Sequence, residues 1–190
     1  NNIVNAGDGD NLITLAASSG VTSIDTGIGS DRINIDQFQG NLSIKSGGGN
    51  DSITFDRMSD SIISVDGGEG NDSISIRLND TTRSFISDLN LNGGSGSDTL
   101  FISYFGTQSL LFSIGASIAS GSRFTGFETF QLQGSSGNDS LTGSDFADVI
   151  FGSDGNDIII GGLSRDFLTG GNGADTFVFL SANDSPTLTP

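Results

Sequence analysis

Large apolar residues alternate with polar ones in short runs, and glycine-rich turns separate these runs. Residues 73–78, Ser-Ile-Ser-Ile-Arg-Leu, show the alternation clearly. A period of two predicts a β-strand with one buried face. Such runs follow and precede most of the turns, so each early unit is expected to contain two short strands and two turns. The apolar residue after each turn is Ile13, Ile33, Ile53, Ile74, Leu100, Leu141, Ile150, Ile159, Leu168 or Phe177, and the one before it is Val4, Ile24, Ile44, Val65, Leu91 or Leu132.

The turns share a nine-residue pattern, for which residues 67–75, Gly-Gly-Glu-Gly-Asn-Asp-Ser-Ile-Ser, are the model case. A small residue or glycine fills positions 1 and 2, glycine fills position 4, aspartate position 6 and an apolar residue position 8. Ten units fit this frame, and the last five follow one another without a gap over 134–178. Position 6 is Asn11, Asp31, Asp51, Asp72, Asp98, Asp139, Asp148, Asp157, Asp166 and Asp175.

This repetition predicts an all-β fold, a parallel β-roll or β-solenoid of about nine stacked two-strand coils, because one repeat cannot bury its apolar face alone. Residues 1–102 are expected to form coils with motif turns on one edge. Residues 103–132 are expected to form a degenerate coil without motifs, and 181–190 an exit segment toward a missing cap. In 133–180 successive units should alternate edges, which places Asp139, Asp157 and Asp175 on one edge and Asp148 and Asp166 on the other.

Charge and composition narrow the range of possible functions. The chain carries 23 acidic and 7 basic residues, for a net charge of −16, and it contains neither Cys nor His. Nucleic acid is a poor partner for such a chain, since phosphate contacts need clustered Lys and Arg. The missing residue types exclude disulfides, Cys/His zinc sites and His-based catalysis. No apolar run approaches the ~18 residues of a membrane span.

The repeated pairing of glycine with aspartate points to a cation. Glycine permits positive φ, so a turn can aim successive carbonyl oxygens to one side, and the position-6 carboxylate adds a charged oxygen. Carboxylates ~5 Å apart on stacked coils repel by about 3 kcal/mol at an effective dielectric of 20, unless a divalent cation lies between them. Ordinary β-turns also favour Gly, Asn and Asp, but they do not require aspartate at position 6 so regularly. Many oxygen ligands in a flexible loop suit Ca²⁺ better than Mg²⁺.

These units resemble the RTX (repeats-in-toxin) consensus G-G-x-G-x-D-x-U-x, a calcium-binding β-helix repeat. The resemblance spans about residues 5–180 and is closest over 134–179, and the segment from Gly170 onward is similar to the end of serralysin-type RTX domains. It implies about seven or eight calcium ions held by turn carbonyls and position-6 side chains. Weak or missing sites are expected where Asn11 replaces aspartate, where Phe146 and Ser164 replace glycine, at Asp148 and Asp166, and in 103–130. The implied metal ligands are Gly7, Gly9, Asn11, Gly27, Gly29, Asp31, Gly47, Gly49, Asp51, Gly68, Gly70, Asp72, Gly94, Gly96, Asp98, Gly134, Gly137, Asp139, Gly143, Asp145, Asp148, Gly152, Gly155, Asp157, Gly161, Gly162, Asp166, Gly171, Gly173 and Asp175.

The resemblance implies a non-catalytic module that folds on calcium outside the cell, within a larger bacterial protein exported by type I secretion that could be a hydrolase or toxin. The alternative is a module of an adhesive or carbohydrate-active protein that binds acidic polysaccharide. Its basic candidates are Arg32, Lys45, Arg57, Arg77 and Arg83, but the chain has no Trp and one tyrosine, so sugar-stacking platforms are scarce. A neighbouring domain, a capping segment or a second copy is expected to cover outward apolar residues in the C-terminal half: Val149, Phe151, Phe167, Ile158, Ile160 and Val178.

Overall fold

The computed structural model describes residues 1–58, 61–80, 89–114 and 123–181. All regular secondary structure in these ranges is β-strand, and they contain no helix long and apolar enough to cross a membrane. The strands are β1 Asn2–Asn5, β2 Leu12–Ala16, β3 Ser19–Asp25, β4 Arg32–Asp36, β5 Gln39–Lys45, β6 Ser52–Asp56, β7 Ser61–Glu69, β8 Ser73–Leu78, β9 Leu89–Ser95, β10 Thr99–Tyr104, β11 Leu111–Ser113, β12 Arg123–Thr125, β13 Thr129–Gln133, β14 Ser140–Thr142, β15 Val149–Asp154, β16 Ile158–Ile160, β17 Phe167–Asn172 and β18 Thr176–Phe177.

The strands of the described residues form three sheets, and every strand pairing in them is parallel. Sheet A has the order β1-β3-β5-β7-β9-β12, sheet B the order β2-β4-β6-β8-β10-β13-β15-β17, and sheet C the order β11-β14-β16-β18. The chain passes between sheet B and sheet A in the first part and between sheet B and sheet C in the last part. Each round trip is one coil, so the predicted parallel β-roll is confirmed.

The core lies between the sheets and consists of stacked rows of like residues. Ile33, Ile53, Ile74 and Leu100 lie in register on neighbouring strands of sheet B, and each is at most 1% exposed. The predicted inward positions are buried in the same way through most of the chain. At the C-terminal end Leu168 is only partly buried and Phe177 is 41% exposed, because no further coil of the described residues covers them.

The two edges of the roll differ in the first part of the chain. The motif turns lie on one edge, which we call the first edge, where the chain enters sheet B. On the opposite, second edge, short turns carry Ala17, Gln37 and Arg57 at φ values of 48–53°. Phe38 and Met58 follow two of these residues and are 0% exposed, so this edge is closed by apolar side chains.

The connection between the two parts departs from the simple repeat. Leu132, which the sequence groups with the apolar residues before motif turns, lies instead in sheet B, in register with Ile102. Its strand β13 follows a short turn over 126–128 on the first edge, which the motif does not reveal. Residues 103–132 also contribute one strand to each of the other sheets, since β12 ends sheet A and β11 begins sheet C. The ring centroids of Phe112 and Phe124 from these two strands lie 6.3 Å apart.

Some sequence-based expectations concern residues outside the described ranges. The 26-residue spacing between Asp72 and Asp98 predicts an insertion around 79–85, of which 81–85 lie outside. Arg83 and residues 182–190 of the exit segment lie outside as well.

Candidate metal centre

The position-6 side chains of consecutive coils form a hydrogen-bonded ladder along the first edge. In each step the backbone N–H of one position-6 residue donates to Oδ1 of the next one, at 2.7–2.8 Å. The turns therefore stack in register, and each carboxylate reaches the backbone of the coil below. The residues of this ladder are Asn11, Asp31, Asp51, Asp72 and Asp98.

The contiguous repeats continue this arrangement on both edges. Asp139 N–H donates to Asp157 Oδ1 at 2.8 Å, and Asp157 N–H donates to Asp175 Oδ1 at 3.0 Å, on the second edge. Asp148 N–H donates to Asp166 Oδ1 at 3.0 Å on the first edge. The predicted alternation of edges is therefore confirmed.

Glycines at positions 2 and 4 allow the turns to stack closely. A Cβ atom built on Gly47 would overlap the carbonyl oxygen of Gly27 in the preceding coil, and one built on Gly49 would overlap the carbonyl oxygen of Gly29. Their φ values of +96° and +121° also favour glycine. Positive φ is shared by Gly7, Gly9, Gly27, Gly29, Gly68, Gly70, Gly94, Gly96, Gly155, Gly162, Gly171 and Gly173.

The position-1 glycines lie against the carboxylates. A Cβ built on Gly67 would come within 2.5 Å of Asp72 Oδ2, and it would overlap the carbonyl oxygen of Gly93 in the next coil. The same two neighbours, the position-6 side chain of the same turn and the position-1 carbonyl oxygen of the next coil, surround Gly134, Gly143 and Gly152. At Gly161 and Gly170 the position-6 carboxylate is the close neighbour. Carboxylate and carbonyl oxygens of adjacent coils thus gather at one place.

The first turn shows which group these carbonyl oxygens surround. The side-chain amide of Asn11 donates to the carbonyl oxygens of Gly7 at 2.9 Å and Gly9 at 2.6 Å, both in its own turn. It also donates to the carbonyl oxygen of Thr26, position 1 of the next coil, at 3.2 Å. Three carbonyl oxygens from two coils therefore converge on the position-6 side chain, and here an N–H₂ group satisfies them.

In the aspartate turns the same place holds a buried carboxylate oxygen that accepts no hydrogen bond. This is the case for Oδ2 of Asp31, Asp51, Asp72, Asp98 and Asp157, whose residues are 0–2% exposed. Burying a charged oxygen without a partner is costly. Burial raises the pKa of the carboxyls of Asp51, Asp98 and Asp157, and it raises that of Asp72 to about 6. A divalent cation among these oxygens would supply the missing partner, so the residues present fit calcium.

Two turns satisfy their carboxylate internally. Ser135 donates to Asp139 Oδ2 through its backbone N–H at 2.6 Å, and its hydroxyl donates to Asp139 Oδ1 at 2.9 Å. Ser144 makes the same contacts with Asp148, at 2.6 Å to Oδ2 from the backbone and 3.1 Å to Oδ1 from the hydroxyl. Burial nevertheless raises the pKa of Asp148 to about 6. Gly137, at position 4 of the first of these turns, is not among the residues with positive φ.

The departures from the consensus are accommodated in different ways. Phe146 at position 4 is 48% exposed, and its backbone N–H donates to the hydroxyl of Ser144 at 3.1 Å. Ser164 at position 4 keeps a positive φ of +73°, and its hydroxyl donates to the carbonyl oxygen of Asp145 at 2.7 Å. Asp145 itself is exposed, at position 3 of its turn.

Two acidic residues outside the motif take part in the edges, and the repeat frame does not reveal them. Asp98 N–H donates to Glu128 Oε2 at 2.8 Å, so Glu128 follows Asp98 in the first-edge ladder. Asp80 accepts the hydroxyl of Tyr104 at 2.6 Å and the backbone N–H groups of Thr107 and Gln108, which lowers its carboxyl pKa. Through these hydrogen bonds Asp80 anchors the turn over 105–110, which is the last second-edge turn that lacks the motif.

Two of the described basic residues in the first part, Arg57 and Lys45, lie beside acidic residues. Arg57 forms an ion pair with Asp36. Lys45 is in register with Asp25 and Asp66 on the strands beside it.

The described residues contain no group of three or more His, Cys, Asp or Glu side chains that could hold a metal. Each coil instead supplies one position-6 side chain per motif turn together with backbone carbonyl oxygens. A hard cation with many oxygen ligands, such as Ca²⁺, suits such a donor set.

A family model for the RTX calcium-binding nonapeptide repeat matches the chain in four copies, over residues 64–75, 133–168 and 151–186. No curated protein matches the chain. The matched residues include the motif turns of both edges, and the fold is the parallel β-roll expected of such repeats. The chain therefore contains RTX calcium-binding repeats, and they lie in a parallel β-roll.

Proposed function

We propose that this module is unfolded at cytosolic calcium and folds when it meets calcium outside the cell, as part of a larger exported protein. The observation that supports this is the row of buried, unpartnered carboxylate oxygens on the first edge. Each added coil places another buried carboxylate oxygen close to that of the coil before it. Repulsion between these carboxylates therefore disfavours the stacking of coils in the metal-free roll. With calcium between the coils the stacking becomes favourable, so the free energy of calcium binding contributes directly to the free energy of folding.

Four pairs of consecutive motif turns are the strongest sites. In each pair the lower turn has a position-6 carboxylate with an unpartnered Oδ2 and the next coil supplies a second aspartate. The turns 6–11, 134–139 and 143–148 are weaker candidates. Asn11 already satisfies carbonyl oxygens of its turn, and Ser135 and Ser144 already satisfy the carboxylates of theirs. The total of seven or eight ions stays a prediction. The four pairs are Asp31–Asp51, Asp51–Asp72, Asp72–Asp98 and Asp157–Asp175.

A chain that folds only after it binds calcium can be secreted in an unfolded state. The required affinity follows from the two compartments, because extracellular calcium modules have dissociation constants of about 10⁻⁴–10⁻³ M. Sites of this strength are empty in the cytosol and filled outside.

Circular dichroism during a calcium titration tests the proposal. The β signal is expected to be weak with chelator, to appear with a midpoint between about 10⁻⁴ and 10⁻³ M free calcium, and to respond far less to magnesium. A midpoint below about 10⁻⁶ M would contradict folding outside the cell, since the sites would fill before export. Equal β content with chelator and with calcium would contradict calcium-dependent folding itself.

A further inference from the structure

The short turn between β12 and β13 takes the place of a motif turn on the first edge. Thr125 is in register with Asn92 and Thr129 with Thr99, so three residues cross the edge where six do so in the coil below. These three residues are Gly126, Phe127 and Glu128. They do not fit the nonapeptide frame, and the family model does not cover them.

Gly126 occupies the place of a position-1 residue. A Cβ built on Gly93 would overlap the carbonyl oxygen of Gly126, just as a Cβ built on Gly67 would overlap the carbonyl oxygen of Gly93. In the first turn it is the position-1 carbonyl of the next coil, that of Thr26, which reaches the Asn11 amide. The Gly126 carbonyl therefore stands where the upper coil supplies an oxygen to the turn below.

Glu128 occupies the place of a position-6 residue. It accepts a hydrogen bond from Asp98 N–H at 2.8 Å, and Asp98 accepts one from Asp72 N–H at 2.7 Å. The glutamate side chain is one methylene longer than aspartate, which suits a turn that is three residues shorter. Phe127 is 3% exposed and packs against Phe130, with ring centroids 5.9 Å apart, so the residue between Gly126 and Glu128 closes the core beneath them.

An independent observation points to a ligand at this place. Asp98 is 0% exposed, and its Oδ2 has no hydrogen-bond partner although Glu128 lies directly above it. In the turn 134–139 a serine satisfies the corresponding oxygen. The turn 93–98 has Gly94 at that position and offers no such hydroxyl.

We propose that Glu128 and the carbonyl oxygen of Gly126 complete a calcium site with the turn 93–98. The remaining ligands of this site are the Asp98 carboxylate and the carbonyl oxygens of Gly94 and Gly96, the counterparts of the carbonyls that reach Asn11. The inference rests on the proposed calcium function of the other turns. It extends the row of first-edge ions by one, into a coil that has no repeat motif.

The Glu128→Gln substitution tests whether Glu128 is a metal ligand or only a structural hydrogen-bond acceptor. Glutamine keeps an acceptor for Asp98 N–H but loses the charge. Glu69→Gln is the matched control, because Glu69 is an exposed acid at position 3 of a neighbouring first-edge turn. Native mass spectrometry of the calcium-loaded chain counts the ions bound to each variant.

The expected result is one ion fewer in Glu128→Gln than in the unaltered chain, with Glu69→Gln unchanged. Equal ion counts in all three chains would overturn the proposal while leaving the calcium function intact. An unaltered chain that binds no calcium would instead overturn the proposed function. If Glu128→Gln does not fold, diffraction from the calcium-loaded unaltered chain decides. An ion within about 2.6 Å of both Asp98 and Glu128 oxygens supports the site, and no ion there overturns it.

Discussion

The backbone N–H of Asp72 donates to Oδ1 of Asp98 at 2.7 Å, while Oδ2 of both residues is buried without a hydrogen-bond partner. The Asp98 carboxylate therefore links two coils, since its Oδ1 accepts from the backbone of the turn below and its side chain lies against Gly93 of its own turn. Asp72 has the same relation to Asp51. Under the proposed calcium function, Asp72 and Asp98 would each be shared between two neighbouring sites.

Replacing Asp72 by asparagine should weaken both of the sites that share it. We expect the half-saturating calcium concentration for folding to rise at least about tenfold, because the charge that attracts the ion is removed. The metal-free chain should not lose stability, since a buried unpartnered charge is removed as well. Asp56→Asn, on the outer face of sheet B, is the control and should behave like the unaltered chain. A calcium titration in which both variants match the unaltered chain would contradict the shared-ligand arrangement.

Replacing Asn11 by aspartate should create a site. The Asn11 amide now donates to three carbonyl oxygens, and a carboxylate there would repel those oxygens unless a cation lies between them. Native mass spectrometry should find one more calcium ion in Asn11→Asp, and none more in the control Asn5→Asp, which changes an exposed residue of β1. An unchanged ion count in both variants would show that the first turn lacks more than the charge.

Two glycines with nearly equal φ allow the stability cost of backbone strain to be distinguished from the cost of disturbing the stacked turns. Gly20 has a φ of +98° with open space where a Cβ would lie, and Gly47 has a φ of +96° with the Gly27 carbonyl oxygen there. Gly20→Ala should cost about 1–2 kcal/mol from the left-handed conformation alone. Gly47→Ala should lose an additional ~1–3 kcal/mol, because the stacked turns must separate. Urea unfolding in saturating calcium measures both, and equal losses would argue against the close stacking.

The pattern of apolar and acidic residues predicts most of the roll, since each coil repeats the same inward and edge positions. Ile33, Ile53 and Ile74 are buried in register, and Asp139 and Asp157 share an edge as expected. Such features depend only on spacing within one coil and between neighbours. They are readable from the sequence for that reason.

Features that depend on which turn lies beneath another could not be read in this way. Ser135 and Ser153 both occupy position 2 after a glycine, yet Ser153 has a φ of +89° and leaves Asp157 Oδ2 unpartnered, while Ser135 binds Asp139. Ser135 lies over a turn without a motif and donates to the carbonyl oxygen of Gln108, whereas Ser153 lies over a motif turn and donates to Gly134. The repeat pattern does not include Glu128, because its turn is shorter than the motif that marks the others.

The metal-free chain should respond to pH in the sense set by its buried carboxyls. Burial raises the pKa of Asp72 from 3.8 to about 6, so the folded state holds a proton that the unfolded chain has released. This contribution stabilises the metal-free fold fully below the unfolded pKa, and it is lost as the pH rises through about 6. Without calcium, the β signal in circular dichroism should therefore grow between about pH 7.5 and about pH 5. The Asp72→Asn variant should show a smaller change, and a β signal that decreases on acidification would contradict the assignment.

Diffraction from crystals of the calcium-loaded chain tests the central claim most directly. The account predicts ions between consecutive turns of one edge, bound by the carboxylate pairs Asp31–Asp51, Asp51–Asp72, Asp72–Asp98 and Asp157–Asp175 and by turn carbonyl oxygens. Ions bound only to outward acids such as Asp8 or Asp154, or an ion shared by Asp148 and Asp157 from opposite edges, would contradict it.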